Sequence, residues 1–298
     1  MFFIGLSLGL EQVKLLPTEF LGFLVELGFE WGIPIVITIA IFGSILLAAL
    51  NRPIIMFYEG YPLQRFRTFK FLTTRMRLER DKIYDQLNSL DMEYKNLQEV
   101  DRQGPQGTTI LSEVTRLQGQ ANIRFPPKTG SVLPTRLGNA IRAFEMYSYR
   151  RYGIVPIILW SRLLPVLPTE ILVNVKEVKA SFNFLINTVL FVQILGLELL
   201  VSAPYLFKSP GNAPLWWLLG LLGAFTSFVI SYLLYRAAVL RAIDWGFMFN
   251  TAFDLYRRDL LKQLGFRPPN NIEEERSLWK KILQLILYEE SKDLTFNG

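Results

Sequence analysis

The sequence predicts an all-α integral membrane protein: three transmembrane helices and an α-helical cytoplasmic domain with a coiled-coil-like segment. Three observations predict it. Residues 181–204 (SFNFLINTVLFVQILGLELLVSAP) and 214–235 (PLWWLLGLLGAFTSFVISYLLY) are two apolar runs hinged at Ser209-Pro210-Gly211-Asn212. Each has about the 20 residues a helix needs to cross the hydrocarbon core. Residues 33–50 (IPIVITIAIFGSILLAAL) form a third, without a charge. The chain is 51% hydrophobic with mean hydropathy +0.26, too little for a bundle wholly in lipid and too concentrated in runs for a soluble enzyme.

Cysteine and histidine are both absent from the 298 residues. That removes disulfides, thiol nucleophiles, thiolate and imidazole metal ligands, the serine–histidine pair and the histidine pH switch. A metal site would be all oxygen, and acid–base work would fall to Asp, Glu, Lys or Tyr. No G-x-G-x-x-G, P-loop or calcium-loop spacing occurs. We therefore expect no enzyme, no catalytic residues, no cofactor and no metal.

In chain order, residues 1–30 read as an amphipathic external segment rather than a cleaved signal. Glu19, Glu26 and Glu30 share one face, so the segment would lie in the membrane surface or on the protein's own outer face. Residues 31–58 hold the first span, opened by Trp31 at interface depth. Asn51-Arg52-Pro53 is expected to end it, with Tyr58, Glu59 and Tyr61 in the headgroup zone.

Residues 59–180 form the cytoplasmic domain. Arg65, Arg67, Lys70, Arg75 and Arg77, continuing to Arg80 and Lys82, crowd its start. Beside a membrane, such a belt is expected to contact anionic lipid headgroups, with nucleic acid disfavoured. Ile83, Leu87, Leu90, Tyr94 and Leu97 follow at alternating spacings of 4 and 3, one heptad after Met76. This seam (Ile83, Leu87, Leu90, Leu97) fits an oligomer contact or a hairpin within one subunit. Gly104-Pro105-Gln106-Gly107 breaks it, and residues 110–118 can return as an antiparallel helix.

Residues 121–134 read as extended and turn-rich. Thr135 can cap a helix from Arg136 to about Tyr149, with Leu137, Ile141 and Phe144 as its apolar stripe. Residues 152–175 are apolar but cut by Pro156, Pro165 and Pro168, with Arg162 in the middle. They read as an interfacial elbow rather than a fourth span. The hairpin occupies 181–236, and the cytoplasmic C-terminal helices occupy 237–298. The third span can run on as one helix of about fifty residues, near 75 Å, until Pro268-Pro269. Asn271 then caps a last helix whose buried face is Trp279, Ile282, Leu283 and Ile286.

Charge sets the expected orientation. Residues 1–32 hold one base and four acids, and residues 51–181 hold twenty bases and twelve acids. Arg236 and Arg241 follow the third span. Basic flanks face the cytoplasm, which places the N-terminus outside and the C-terminus inside.

The segment LPTRLGNAIRAFEMYSYRRYGI (133–154), then ILWSRLLPVLP (158–168), resembles a family of bacterial membrane proteins of uncharacterised activity. Its members carry a similar LPTRLGN…YG…LWPRL…LP run. Residues 249–269 (FNTAFDLYRRDLLKQLGFRPP) are similar to its C-terminal motif. Ser161 stands where the pattern usually has proline. The resemblance covers about a fifth of the chain and implies the bacterial cytoplasmic membrane. It supplies no activity.

Within the spans, Glu198 is the lone charge. Asn183, Asn187 and Glu198 share a helix face, forming a candidate intramembrane polar site. Such a carboxylate can handle a proton or cation. It can also be neutral interhelical glue, with Ser227, Ser231 or Tyr232 as partners, and glue is the favoured reading. Small residues repeat every four positions at Ala40, Ser44 and Ala48, and at Gly223, Ser227 and Ser231, as expected for close helix packing. A membrane enzyme would need Glu145, Glu170, Asp244 and Asp254 to converge. The leading expectation is a self-assembling scaffold, a homo-oligomer or an accessory subunit of a larger membrane complex. A small-ion channel or transporter subunit using Glu198 is the alternative.

Overall fold

The computed structural model describes residues 28–206 and 213–288. The amphipathic reading of residues 1–27, the hinge at 209–212 and the side chains of Glu30, Trp31 and Ala40 lie outside the described residues. Those described are helical, with no strand among them: α1 (Gly28–Glu59), α2 (Tyr61–Arg65), α3 (Lys70–Asn96), α4 (Glu99–Gln103), α5 (Pro105–Arg124), α6 (Arg136–Tyr152), α7 (Pro156–Leu163), α8 (Thr169–Leu206), α9 (Ala213–Gln263) and α10 (Ile272–Tyr288). Three of these helices are long and apolar enough to cross a membrane, over Ile41–Glu59, Thr169–Ser202 and Trp217–Gln263. Contacts divide the chain into two units, residues 1–54 with 184–236 and residues 55–183 with 237–298.

The first unit holds apolar stretches of α1, α8 and α9. Its helices leave many large side chains outward: Phe42, Phe184 and Phe225 are all more than two-thirds exposed, whereas Ile186 and Val189 are fully buried. Where α8 and α9 meet, the contact is made by small residues. A Cβ on Gly196 would stand 3.2 Å from that of Ser227, and one on Gly223 would stand 3.2 Å from Leu199. Ala224, Ser227 and Ser231 on α9 are buried. Small residues let two backbones approach where no water drives apolar groups together.

The second unit is built around a buried core. α3 and α5 form a hairpin, with Ile83 and Leu87 packed on Leu117, Ala121 and Phe125, and Tyr84, Leu90 and Val114 around them. Ile83, Leu87 and Leu90 of the predicted seam are thus engaged by α5 of the same chain, while Leu97 is the half-buried residue that ends α3. On the other side Phe144, Trp160, Trp245, Phe249 and Phe253 form an aromatic cluster, with centroid separations between 4.5 and 6.2 Å. Phe182 stacks on Trp245 at 6.1 Å.

Several element ends differ from the sequence reading. α1 runs through Asn51-Arg52-Pro53 to Glu59. One proline removes one backbone donor, and the bonds on either side carry the helix on. α5 extends to Arg124, so residues 121–124 are helical rather than extended. α8 starts at Thr169 rather than 181: Leu172 N donates to Pro168 O at 3.0 Å, and Glu170 sits in the first turn, where the helix dipole favours it. That start comes from local capping, which a hydropathy reading does not register. α9 does run 51 residues unbroken. It ends before the two prolines, because Gly265 takes a left-handed φ of 83° and Phe266 N donates to Leu261 O. Thr135 caps α6 as read, accepting from Gly138 N at 3.0 Å, and Asn271 caps α10 through Glu274 N at 2.8 Å. Pro156, Pro165 and Pro168 confine the elbow to short α7 and one 3₁₀ turn.

Candidate functional site

Polar side chains are concentrated in three clasps of the second unit, and two fall on the motifs that carry the family resemblance. The first is the LPTRLGN run. Asn139 is fully buried; its amide accepts from Leu133 N (2.7 Å) and donates to Leu133 O (2.8 Å) and Thr135 O (2.9 Å). It therefore pins the loop before its own helix. Thr135 Oγ1 donates to Glu59 O at 2.8 Å, tying that loop to the end of α1. The chain there has no room to spare. Gly60 has φ 90° and a Cβ on it would stand 2.5 Å from Pro134, while a Cβ on Gly138 would stand 2.3 Å from Glu59 O. Both positions require glycine.

The second clasp joins α6, α9 and α10. Both oxygens of Asp254 accept from tyrosines: Tyr147 at 2.8 Å and Tyr152 at 2.7 Å. Arg257 donates to Glu275 at 2.7 Å and to the carbonyl of Asp254, and its guanidinium lies 3.9 Å over the Tyr152 ring. Glu275, 2% exposed, also accepts from Trp279 at 3.4 Å. Arg276 completes the join by donating to the carbonyls of Arg150 and Arg151. Burial, then the hydrogen bond to Asp254, pushes the Tyr152 hydroxyl up to about 12 and raises that of Tyr147 as well. Both phenols stay protonated donors at neutral pH.

The third clasp centres on Arg80. It donates to Pro126 O (3.3 Å), Pro127 O and Thr129 Oγ1 (2.8 Å), and its guanidinium lies 4.2 Å over Tyr84. Arg124 and Arg136 pair with Glu79 beside it. Arg80 therefore leaves the basic belt in which the sequence places it. Arg65, Arg67, Lys70, Arg75 and Arg77 remain exposed, with no ion pair among the described residues.

A cavity of about 200 Å³ opens beside Asp254, lined among others by Asn122, Phe144, Tyr147, Asn250 and Thr251. The acids of the enzyme reading do not gather around it. Asp254 is held by the tyrosines, Asp244 pairs with Arg241 at 3.2 Å, and Glu170 is exposed. Glu145 is half-buried near Arg142, and burial raises its carboxyl. Among the described residues, no group of three or more acids could hold a metal ion.

Glu198 is half-buried on α8, with no hydrogen bond or ion pair among the described residues. The glue partners named from the sequence are not engaged with it: Ser227 Oγ donates to Gly223 O at 2.9 Å, Ser231 Oγ has no partner, and Tyr232 is exposed. Asn183 and Asn187 bury their side-chain oxygens without partners, one helical turn apart. Of the packing stripes, Gly223 and Ser227 lie in the α8–α9 contact, and Ser231 is buried. Ser44 and Ala48 are exposed, and Ser44 donates to Ile41 O of its own helix at 2.7 Å.

Sequence reasoning missed the Asp254 clasp as a unit. Its signal was the density of Tyr and Arg in YSYRRY and DLYRR, but only the fold brings residues 107 apart into contact. No family model, curated protein or solved structure matches the chain.

Proposed function

We propose that this chain is a non-enzymatic integral membrane protein of the bacterial cytoplasmic membrane, serving as a self-assembling scaffold or as an accessory subunit of a larger membrane complex. The observation that supports this reading is how the second unit uses its polar groups. Asn139, Arg80, Asp254, Arg257 and Glu275 each reach from one helix or loop to another. Chemistry needs polar groups held free to meet a substrate; these are committed to fixing helices. The density of Lys and Arg after the first and third spans supports an outside N-terminus and an inside C-terminus.

A second reading, a small-ion channel or transporter subunit, is favoured by one observation. Glu198 has no hydrogen bond or ion pair among the described residues, on a helix apolar enough to span a membrane. An unpaired intramembrane acid marks an ion or proton path by default. Proteoliposome flux separates the two. The scaffold reading predicts no proton or cation flux above empty liposomes for wild type or Glu198→Gln. Flux in wild type that Glu198→Gln abolishes, with the helical fold retained, replaces it with the transport reading.

A further inference from the structure

The stretch between α1 and the α3–α5 core, QRFRTFKFLTTRMRL (64–78), carries five cations and no acid. Its aromatic residues are outward, with Phe66, Phe69 and Phe71 exposed. The structure divides α3 into two faces. Met76, Arg80, Ile83 and Leu87, spaced 4, 3 and 4, are buried. Phe71, Arg75, Leu78 and Lys82 repeat the same spacing five positions earlier, about 140° around the helix, and line an open groove. On that outer face Phe71 is 62% and Leu78 58% exposed. The only acid in the groove, Glu79, is already held by Arg124 and Arg136.

We infer that this outer face of α3, with Phe66 and Phe69 before it, docks on anionic phospholipid, Phe71 and Leu78 entering the interface while Arg75 and Lys82 take the phosphates. Charge complementarity selects the occupant. The nearby arginines that serve the fold are paired, as Arg80, Arg124 and Arg136 show, whereas Arg65, Arg67, Lys70, Arg75 and Arg77 have no acid partner among the described residues. Continuity selects it too. Arg65 lies six residues past Glu59, the end of a helix apolar enough to span. Alternating bulky apolar groups and cations is how an interfacial helix binds a negative leaflet. An acidic protein would also meet the cations, but it supplies no apolar phase for the outward Phe66–Phe69 pair, in edge-to-face contact at 6.4 Å, and Phe71 beside it.

The inference rests on the reading that the chain crosses a membrane, and its test separates the two. Because the chain has no cysteine, Phe71→Cys, Leu78→Cys, Asn88→Cys and Ile45→Cys each give one labelling site in the full-length protein. An environment-sensitive fluorophore at each is read in nanodiscs of phosphatidylcholine alone and of equal parts phosphatidylcholine and phosphatidylglycerol, with and without nitroxide-labelled lipid. We expect labels at 71 and 78 to shift to the blue and be quenched in the anionic discs. They should do so far less in the neutral ones, and high salt should reverse the difference. Arg75→Gln with Lys82→Gln should bring quenching in anionic discs down to the neutral level. The label at 88 stays wet throughout. Labels at 71 and 78 as wet as that at 88 overturn the inference. So does a blue shift without quenching, which signals a protein contact, or quenching equal in both lipids. If the label at 45, which lies in the first span, is not quenched by the lipid, the membrane reading itself fails.

Discussion

The two units hold their helices together by opposite means. In residues 55–183 and 237–298, fully buried polar groups such as Asn139 and Glu275 are bonded across elements, around a core that includes Leu137, Phe253 and Trp279. Among the described residues of the first unit, α8 and α9 approach at glycine and serine, and many bulky side chains, Phe42, Phe184 and Phe225 among them, point away. On the proposed reading, with the first unit in lipid, the difference is one of solvent. Against water, burying apolar area stabilises at roughly 25 cal/mol per Å². Against lipid tails that force vanishes, and only close backbone approach and interhelical polar bonds remain. On the proposed reading, the second unit folds on itself against water and the first, in lipid, stays open to neighbours.

The sharpest way to break this comparison is at the α3–α5 hairpin. Leu87→Asp with Leu90→Asp puts charge into a contact closed within the chain, so folding stability should fall by more than the ~2–5 kcal/mol of a simple truncation, with a lower melting temperature. Thermal unfolding followed by circular dichroism checks it. An unchanged melting point, with a smaller assembled mass, would mean that the seam serves a second subunit instead. Next is Arg257→Ala, which strands Glu275 at 2% exposure. Removing one partner of a buried pair costs about 3–5 kcal/mol, and Arg257→Ala with Glu275→Leu should recover part of the loss, measurable as a double-mutant cycle.

The smallest effect is with pH. The Tyr152 hydroxyl is raised to about 12 from an unfolded value of 10. Folding therefore favours the protonated phenol. Its contribution is complete below pH 10 and is lost as pH rises from 10 through 12. Tyr152→Phe should flatten that alkaline decline in melting temperature, at the expense of the bond to Asp254; an identical decline in both proteins would remove the clasp from the account.

How far these features can be read from the sequence depends on the range of the interaction. The Thr135 cap, the proline breaks around α7, the Asn271 cap and the 51-residue α9 all rest on signals within a few residues, and all are legible. Pro53 is expected to end α1 and does not, because one missing donor leaves the hydrogen bonds of the neighbouring turns in place. Arg80 is expected to face lipid with its neighbours. Its inward turn is set by the carbonyls of Pro126 and Pro127, about fifty positions on, and helical periodicity alone is its trace: it falls on the Met76–Ile83 face. For Glu198 the position is legible in the sequence. That Ser227 bonds within its own helix, and so is not its partner, is not.

The proposed scaffold turns on assembly, and the most direct measurement is the mass of the full-length protein extracted from native membranes in mild detergent or nanodiscs, together with whatever accompanies it. The account predicts an integer multiple of 34.5 kDa of two or more, or a fixed stoichiometry with other membrane subunits. Ala48→Leu, bulking the exposed small-residue stripe of α1, should reduce that mass without lowering the melting point of the second unit. A uniform 34.5 kDa monomer with nothing bound, in native lipid and unaffected by Ala48→Leu, would contradict it.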